Sequence, residues 1–206
     1  MSCIECNNLF ITVLDSSKAL VGFRNDYMNR IVILVGSVRR NGNTAMLLQR
    51  FAECAALNNE VEIISVADHR INPCIGCNSC YTREGNRCFQ DDGKDQICDR
   101  LSKADLLVIA SPMYFYGPSA QLKCIIDGLH TPLRYTFNIR RLALLLVAAN
   151  REEGVFDPII AQYRSTMGFF GLSDAGIVTV DGVKDPGDTA GRLELNEAYE
   201  LGRYIS

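Results

Sequence analysis

The sequence of 206 residues has no run rich in lysine or arginine, and its formal net charge is only −3. Proteins that bind nucleic acids or anionic membrane surfaces through charge usually carry a clustered basic patch. We therefore expect no nucleic-acid partner, and a small molecule is the favoured ligand.

Long apolar runs are also missing. The segment Leu9–Leu14 is far too short to span a membrane or to act as an export signal, and no basic residue precedes it. No membrane or targeting segment is predicted. The nine cysteines are odd in number and no secretory signal accompanies them, so they are expected to be cytoplasmic thiols or ligands rather than disulfides.

Histidine is scarce, with only His69 and His130 in the chain. A Ser-His-Asp or Cys-His catalytic group would need one of them beside a nucleophile, and the nucleophile-elbow pattern G-x-S-x-G does not occur. The sequence therefore disfavours a hydrolase.

What the sequence does contain, from residue 31 onward, is an alternation of short apolar runs with longer amphipathic stretches. This pattern predicts βα units around a parallel sheet in a single domain over residues 28–206, preceded by an N-terminal extension over residues 1–27. The predicted strands are Ile31–Val35, Val61–Val66, Asp105–Ser111, Leu142–Ala149 and Ala175–Val180. The predicted helices are Asn43–Leu57, Lys94–Ser102, Ser119–Leu129, Phe156–Phe170 and Thr189–Tyr204.

A glycine-containing turn joins the first strand to the first helix. Backbone N–H groups and the positive end of a helix converge at such a turn and stabilise an anion, so the turn predicts a site for a terminal phosphate. Arginine can add a charge-assisted contact, and glycine allows a close backbone approach. The candidate residues are Ser37, Arg39, Gly42, Asn43 and Thr44, with Arg40 as an alternative cation.

The spacing of this turn fits neither G-x-G-x-x-G nor G-x-x-x-x-G-K-[ST], since Asn41 stands where the second pattern needs glycine and no lysine follows. Dinucleotide binding of the first type and nucleoside triphosphate hydrolysis are therefore not predicted. An ordinary capped turn without a ligand remains the alternative interpretation.

An aromatic loop follows the third predicted strand, and we expect it to meet the phosphate turn because both leave the carboxyl end of a parallel strand. Consecutive aromatic side chains between a proline and a glycine suit a flat heteroaromatic ring such as a flavin. Packing against a helix or a second subunit is the alternative. The candidate residues of this loop are Pro112, Met113, Tyr114, Phe115, Tyr116 and Gly117, and Asn150 after the fourth strand is a further candidate.

A long connection, residues 68–92, shows no clear periodicity, and such loops are usually functional. It contains four cysteines within fifteen positions, Cys74, Cys77, Cys80 and Cys88, which together define the cysteine loop. Their spacing suits a [4Fe–4S] cluster, while zinc and free thiols remain open as alternatives. Asp91 and Asp92 follow, where one of them can cap the next helix.

Together these motifs resemble a known family. The patterns are G-S-x-R-x-x-G-N-T, then C-x-x-C-x-x-C with a later C and D-D, then S-P-x-Y-F-x-G-x-S-A-x-x-K. They resemble the flavodoxin-like NAD(P)H-dependent FMN reductases and iron-sulfur flavoproteins. The resemblance implies an α/β fold, a three-layer, doubly wound, five-stranded parallel sheet in the order 2-1-3-4-5.

The same resemblance implies FMN as cofactor, with its phosphate at the turn and its ring along residues 112–117, and NAD(P)H as co-substrate. It also implies a homodimer or homotetramer, because the helix after the aromatic loop commonly lies at a subunit interface in such proteins. The expected function is an NAD(P)H oxidoreductase that passes electrons to a quinone, nitroaromatic, flavin or similar acceptor. An electron carrier using FMN and a [4Fe–4S] cluster, and a flavin-bearing redox sensor, are the alternatives.

Overall fold

The computed structural model describes residues 28–205. The N-terminal extension expected over residues 1–27 lies outside the described residues, as do its two cysteines, Cys3 and Cys6.

Five parallel strands form a single sheet in the order β2-β1-β3-β4-β5, which confirms the predicted topology. The strands are β1 (Arg30–Val35), β2 (Glu60–Ser65), β3 (Leu106–Pro112), β4 (Arg141–Val147) and β5 (Ser173–Val180). The central strands are continuous apolar runs because helices cover both faces of the sheet.

The helices are α1 (Asn43–Ala55), α2 (Lys94–Leu101), α3 (Ala120–Gly128), α4 (Asp157–Phe170) and α5 (Glu194–Tyr204). Helices α1 and α5 pack on one face of the sheet, against alternate residues such as Ile31 and Ile33. Helices α2, α3 and α4 pack on the other face, against the intervening residues such as Val32 and Leu34. The three-layer arrangement therefore follows from the period-two alternation of each strand.

The boundaries agree with the sequence to within a few residues, except at the last helix. We predict that helix from Thr189, but it begins at Glu194. The intervening residues form turns instead, in which Ala190 donates to the carbonyl of Gly187 at 2.8 Å, and Gly191 has a φ of 74° that an α-helix does not accept. Within residues 28–205, no helix has the length and apolar character needed to cross a membrane.

Close packing between α1 and α5 depends on Gly202. A Cβ at this position would lie 2.3 Å from the carbonyl oxygen of Phe51, a backbone atom of α1. Gly168 in α4 offers a contrast, because nothing lies within 4 Å of the position its Cβ would take.

We expect Gly202→Ala to lower the free energy of unfolding by about 1–3 kcal/mol through this backbone clash. Gly168→Ala should raise it by about 0.5–1 kcal/mol, because alanine reduces the entropy lost on forming a helix. Urea denaturation of both variants measures the two changes. Equal effects of the two substitutions would contradict the packing account.

Candidate functional site

Three loops come together at the carboxyl edge of the sheet. Val35 at the end of β1 lies beside Ala110 of β3, and Pro112 at the end of β3 lies beside Val147 of β4. Hydrogen bonds extend these pairings beyond the strands: the N–H of Gly36 donates to Ala110 at 2.7 Å, and that of Met113 donates to Val147 at 2.8 Å. The phosphate turn, the aromatic loop and the loop after β4 are therefore neighbours, as expected.

Gly36 allows the first two of these loops to touch. A Cβ at Gly36 would lie 2.7 Å from Ser111 Oγ, 2.8 Å from a methyl carbon of Leu122 and 3.0 Å from Ser119 Oγ. Ser111 and Ser119 are both fully buried, and the Ser119 N–H donates to Ser111 Oγ at 3.3 Å. Any side chain at position 36 would therefore push the phosphate turn away from the start of α3.

The turn itself, residues 36–42, is held by Ser37, which is only 7% exposed. Its hydroxyl accepts a hydrogen bond from the N–H of Arg39 at 3.2 Å and lies 3.3 Å from the Arg39 carbonyl oxygen, to which it donates. These two hydrogen bonds of the Ser37 side chain stabilise the conformation of the turn.

Helix α1 begins at the end of this turn without a side-chain cap. Its N-cap residue is Gly42, and its first turn contains no acidic residue. The first N–H groups of any helix lack intrahelical acceptors and carry partial positive charge. Thr44, in the same turn of helix, is 2% exposed, and its hydroxyl has no hydrogen-bond partner among residues 28–205. The start of α1 therefore presents several unused donors.

Two arginines follow Ser37 in the turn, and they differ in their partners. Arg40 forms an ion pair with Asp68, which follows the end of β2. Arg39 is exposed and has no ion pair with any residue in the described range 28–205. Arg39 is thus the cation of this turn that remains available to an anionic ligand.

Asn43, the first residue of α1, is linked through its side chain to a distant loop. Its amide nitrogen donates to the Asp185 carbonyl at 3.0 Å, and its amide oxygen accepts from the N–H groups of Gly187 and Thr189, both at 3.2 Å. Asn43 is only 7% exposed. The main-chain N–H of Asn43 lies in the first turn of α1 and has no acceptor within the helix.

The aromatic loop is a tight two-residue turn. Tyr114 and Gly117 pair through two backbone hydrogen bonds, 2.9 and 3.2 Å long, and the residues between them have positive φ angles, 47° for Phe115 and 66° for Tyr116. Turns of this kind strongly favour asparagine and glycine at these positions. Two consecutive aromatic residues in the left-handed region therefore store backbone strain, which is often found at functional sites.

The three aromatic side chains of this loop point largely into solvent. Tyr114 is 53% exposed, Phe115 is 98% exposed and Tyr116 is 47% exposed. Burying such side chains is normally favourable, so a strained turn that displays all three is costly to the isolated fold. Ligand or subunit contact would cover this apolar surface.

The side chain of Asn150, the candidate after β4, forms hydrogen bonds within its own loop. Its amide nitrogen donates to Glu152 at 2.8 Å, and its amide oxygen accepts from the Glu152 N–H at 3.3 Å. Its carbonyl accepts from Gly182 at 3.4 Å, which links the loops after β4 and β5. The Asn150 side chain therefore orders the third loop at the carboxyl edge.

The cysteine loop carries its thiols at the surface. Cys74 and Cys77 are exposed, Cys80 and Cys88 are partly exposed, and none of the four forms a disulfide within residues 28–205. A hydrogen bond with Ser79 lowers the pKa of the Cys77 thiol, whereas partial burial raises the pKa of Cys80, with smaller contributions from the charges of the other three thiols. Cys80 thus senses the charges of the other three thiols of the loop.

Residues 28–205 contain no group of three or more His, Cys, Asp or Glu side chains already arranged to hold a metal ion. Two other described cysteines lie in helices α1 and α2. Cys54 and Cys98 are buried, and burial raises the pKa of Cys98 to about 12, so these two thiols act as small apolar side chains.

An apolar cavity of about 60 Å³ lies elsewhere, between the sheet, α3 and α4. Its lining includes Leu107 and Leu142, which stand near the amino ends of their strands, and Phe170 at the end of α4. It is therefore separate from the loops at the carboxyl edge.

The geometry can be compared with known proteins. The family model described as NADPH-dependent FMN reductase matches residues 29–157, which include the phosphate turn, the cysteine loop and the aromatic loop. The chain belongs to this family.

Two relatives illustrate the range of FMN reductase family members that resemble the chain. An iron-sulfur flavoprotein of Methanocaldococcus jannaschii is 38% identical over 128 residues, 61% of this chain and 65% of the relative. An FMN-dependent NADH:quinone oxidoreductase of Burkholderia pseudomallei is 32% identical over 100 residues, 43% of this chain and 50% of the relative. The matches span less than two thirds of either relative.

Solved structures confirm the flavodoxin-like fold of this family member. An NAD(P)H:quinone oxidoreductase from Methanothermobacter marburgensis has a TM-score of 0.73 at 19% identity, covering 87% of this chain and 96% of the other. An FMN-dependent NADH-azoreductase from Bacillus anthracis in complex with FMN has a TM-score of 0.64 at 15% identity, covering 86% and 99%.

The structure adds residues to the site that the sequence analysis did not give as site candidates. They are the buried serines Ser111 and Ser119, which join the two main loops, and the 185–189 segment that Asn43 binds. A serine just before a helix is a recognisable cap signal, and Ser119 indeed accepts from the Leu122 N–H at 3.3 Å. No local pattern marks the partner of Asn43, more than 140 residues away. The ligand-binding roles of all the candidate residues stay predictions.

We expect Phe115→Gly to raise the free energy of unfolding by about 0.5–1 kcal/mol, because glycine accepts a positive φ without steric cost and little packing is lost. Phe115→Ala removes the same ring but keeps the strain, so it should change stability little. Thermal or urea denaturation of both variants measures the difference. Identical stabilities of the glycine and alanine variants would show that the turn is not strained.

Proposed function

We propose that the chain is an FMN-dependent oxidoreductase that uses NAD(P)H. The observation that carries the proposal is the juxtaposition at the carboxyl edge, where an uncapped helix start and Arg39, which has no ion pair within residues 28–205, lie beside a loop displaying three aromatic side chains. The start of α1 together with Arg39 suits a phosphate group, and the aromatic loop suits a flat ring.

The residues of the turn fit the phosphate of FMN. The first N–H groups of α1 and the Thr44 hydroxyl are donors without acceptors among residues 28–205, and Arg39 adds a positive charge. Gly36 and Gly42 keep side chains out of the turn, since a Cβ at Gly42 would lie 3.1 Å from the Cβ of Arg39. Ser37 and Asn43 support this arrangement, Ser37 from within the turn and Asn43 through the 185–189 segment.

The aromatic loop fits the ring of the cofactor. Pro112 and Met113 continue the edge of β3, and the loop from Tyr114 to Gly117 projects beyond it. Its side chains would cover one side of the ring and exclude water, while Asn150 orders the neighbouring loop. FMN supplies the two-electron redox chemistry when bound, so the protein needs to contribute binding, orientation and shielding.

The acceptor is proposed from the relatives. Their names include a quinone oxidoreductase and an azoreductase, which points to a quinone, nitroaromatic or similar conjugated acceptor, or a free flavin. We further propose a cytoplasmic homodimer or homotetramer, in which a second subunit would cover part of the exposed aromatic loop.

The decisive experiment is to load the protein with FMN and follow NADPH and NADH oxidation with and without a quinone. We expect quinone-dependent oxidation that disappears when FMN is removed. If the FMN-loaded protein is not reduced by either nucleotide, it would be an electron carrier instead of this kind of enzyme.

A second candidate function is electron transfer through FMN and a [4Fe–4S] cluster. It is favoured by the four cysteines of the cysteine loop and by the similarity to the iron-sulfur flavoprotein of M. jannaschii. Cys74, Cys77, Cys80 and Cys88 would hold the cluster, since four thiolates are a suitable donor set. Because the described thiols are not already grouped as metal ligands, they would have to draw closer on binding.

Iron and sulfide analysis of protein purified without oxygen separates these candidates. Stoichiometric iron and sulfide, lost on Cys77→Ser and Cys80→Ser substitution but kept on Cys54→Ser substitution, would support the cluster. Flavin without iron would leave an FMN-dependent reductase with free thiols in its loop.

We expect Arg39→Ala to weaken FMN binding by about 1.5–3 kcal/mol, roughly a 10- to 150-fold higher Kd, because a charge-assisted phosphate contact is lost. Arg40→Ala is the matched control, since Arg40 is paired with Asp68. Fluorescence titration with FMN measures both, and an equal loss in the two variants would contradict a specific role of Arg39.

A further inference from the structure

The segment that carries the cysteines is attached to the fold in an unusual way. From Asn72 to Gly93 no residue joins the hydrophobic core, which the preceding Ile71 contacts from a partly exposed position. Immediately after it, Lys94 is only 6% exposed. A long surface loop of this kind needs some other interaction to fix its position.

That interaction is found at the neck of the loop, formed by Asn72, Asp92 and Lys94. Asp92 Oδ2 accepts from the Asn72 N–H and from Lys94 Nζ, both at 2.7 Å, and Lys94 Nζ also donates to the Asn72 carbonyl at 2.9 Å. The side chains of Asp92 and Lys94 are 4% and 6% exposed. One carboxylate and one ammonium group thus bind both ends of the loop.

The neck is also packed against α3. A Cβ at Gly128 would lie 2.6 Å from Lys94 Cδ and 3.3 Å from Lys94 Cγ, so the lysine stem fills the space that a side chain there would occupy. The stem of Lys94 is therefore covered by α3, while its ammonium group meets Asp92. At this position the ion pair is screened much less than an exposed pair would be.

Helix α2 connects the neck to Cys88. The carboxylate of Asp95, the residue after Lys94, accepts from the N–H of Cys88 at 3.0 and 3.1 Å. On the other side of the loop, Arg134 donates to the Tyr81 hydroxyl at 3.0 Å, next to Cys80. The half-buried cysteines are therefore those nearest to these attachments, whereas Cys74 and Cys77 are exposed.

We propose that Asp92 and Lys94 are positioning residues for the cysteine loop, and that their buried ion pair holds Cys80 and Cys88 in place without taking part in the flavin site. Whether the loop binds a cluster or keeps free thiols, the pair sets how its sulfur atoms are presented. The proposal goes beyond the proposed function and does not depend on the identity of the electron acceptor.

Removal of one partner leaves the other charge buried and unpaired, which is strongly unfavourable, whereas removal of both leaves no such charge. The variants are therefore Asp92→Asn, Lys94→Met and the double variant. The control is Asp91→Asn, because the neighbouring Asp91 is exposed and makes no hydrogen bond or ion pair within residues 28–205.

The measurement is the rate of alkylation by iodoacetamide at each cysteine, read by peptide mass spectrometry on the full-length protein. We expect each single substitution to raise the rates at Cys80 and Cys88 at least about tenfold, the double variant to raise them less, and Asp91→Asn to leave them unchanged. Cys98 in the core reports global opening and should stay protected.

Unchanged rates at Cys80 and Cys88 in both single variants would overturn the proposal. A parallel rise at Cys98 would also overturn it, because the pair would then stabilise the whole fold and not the loop. FMN affinity, measured on the same variants, should stay at the wild-type value. Failure of the chain to bind FMN at all would count against the proposed function but not against the role of the pair.

Discussion

The carboxyl edge of the sheet depends on the absence of a side chain at Gly36. The chain leaves β1 at this residue and passes against Ser111 and Ser119, with less than 3 Å available where a Cβ would meet Ser111. Because of this close approach, the start of α1 and the aromatic loop lie on two sides of the same space. The proposed binding of a phosphate and a ring by one ligand follows from that contact.

The two sides of this space are stabilised in different ways. The turn before α1 is closed by its own hydrogen bonds and by Asn43, so its unused donors are presented by a rigid frame. The aromatic loop is instead held in a strained conformation by its pairing between Tyr114 and Gly117. A rigid turn with N–H donors beside a strained apolar turn is consistent with the proposed site, whose stability a bound cofactor would complete.

The fold could be predicted from the sequence because its signals are local. Each central strand is a continuous apolar run, and each helix shows apolar residues at helical spacing, as in Leu47, Leu48 and Phe51 of α1. The meeting of the loops after β1 and β3 could be predicted as well, because parallel strands bring these loops to one edge. The family resemblance supplied the strand order, which the structure confirms.

The remaining features depend on contacts between distant residues or on unusual local conformations. The sequence places Asn43 in the phosphate turn, but nothing near it predicts that its side chain binds residues 185–189. The pair Phe115-Tyr116 is an improbable choice for positive φ angles, so turn propensities do not predict it. The tandem Asp91-Asp92 suggests a helix cap, and Asp92 does accept from the Lys94 N–H at 3.4 Å, but its burial with Lys94 emerges only from tertiary packing.

The central claim is that the three loops at the carboxyl edge form one FMN site. A crystal structure of the FMN-loaded protein tests it most directly. The account predicts the phosphate at the start of α1, within hydrogen-bond distance of Thr44 and Arg39, and the ring against residues 112–117. FMN bound elsewhere, or with its phosphate away from α1, would contradict it.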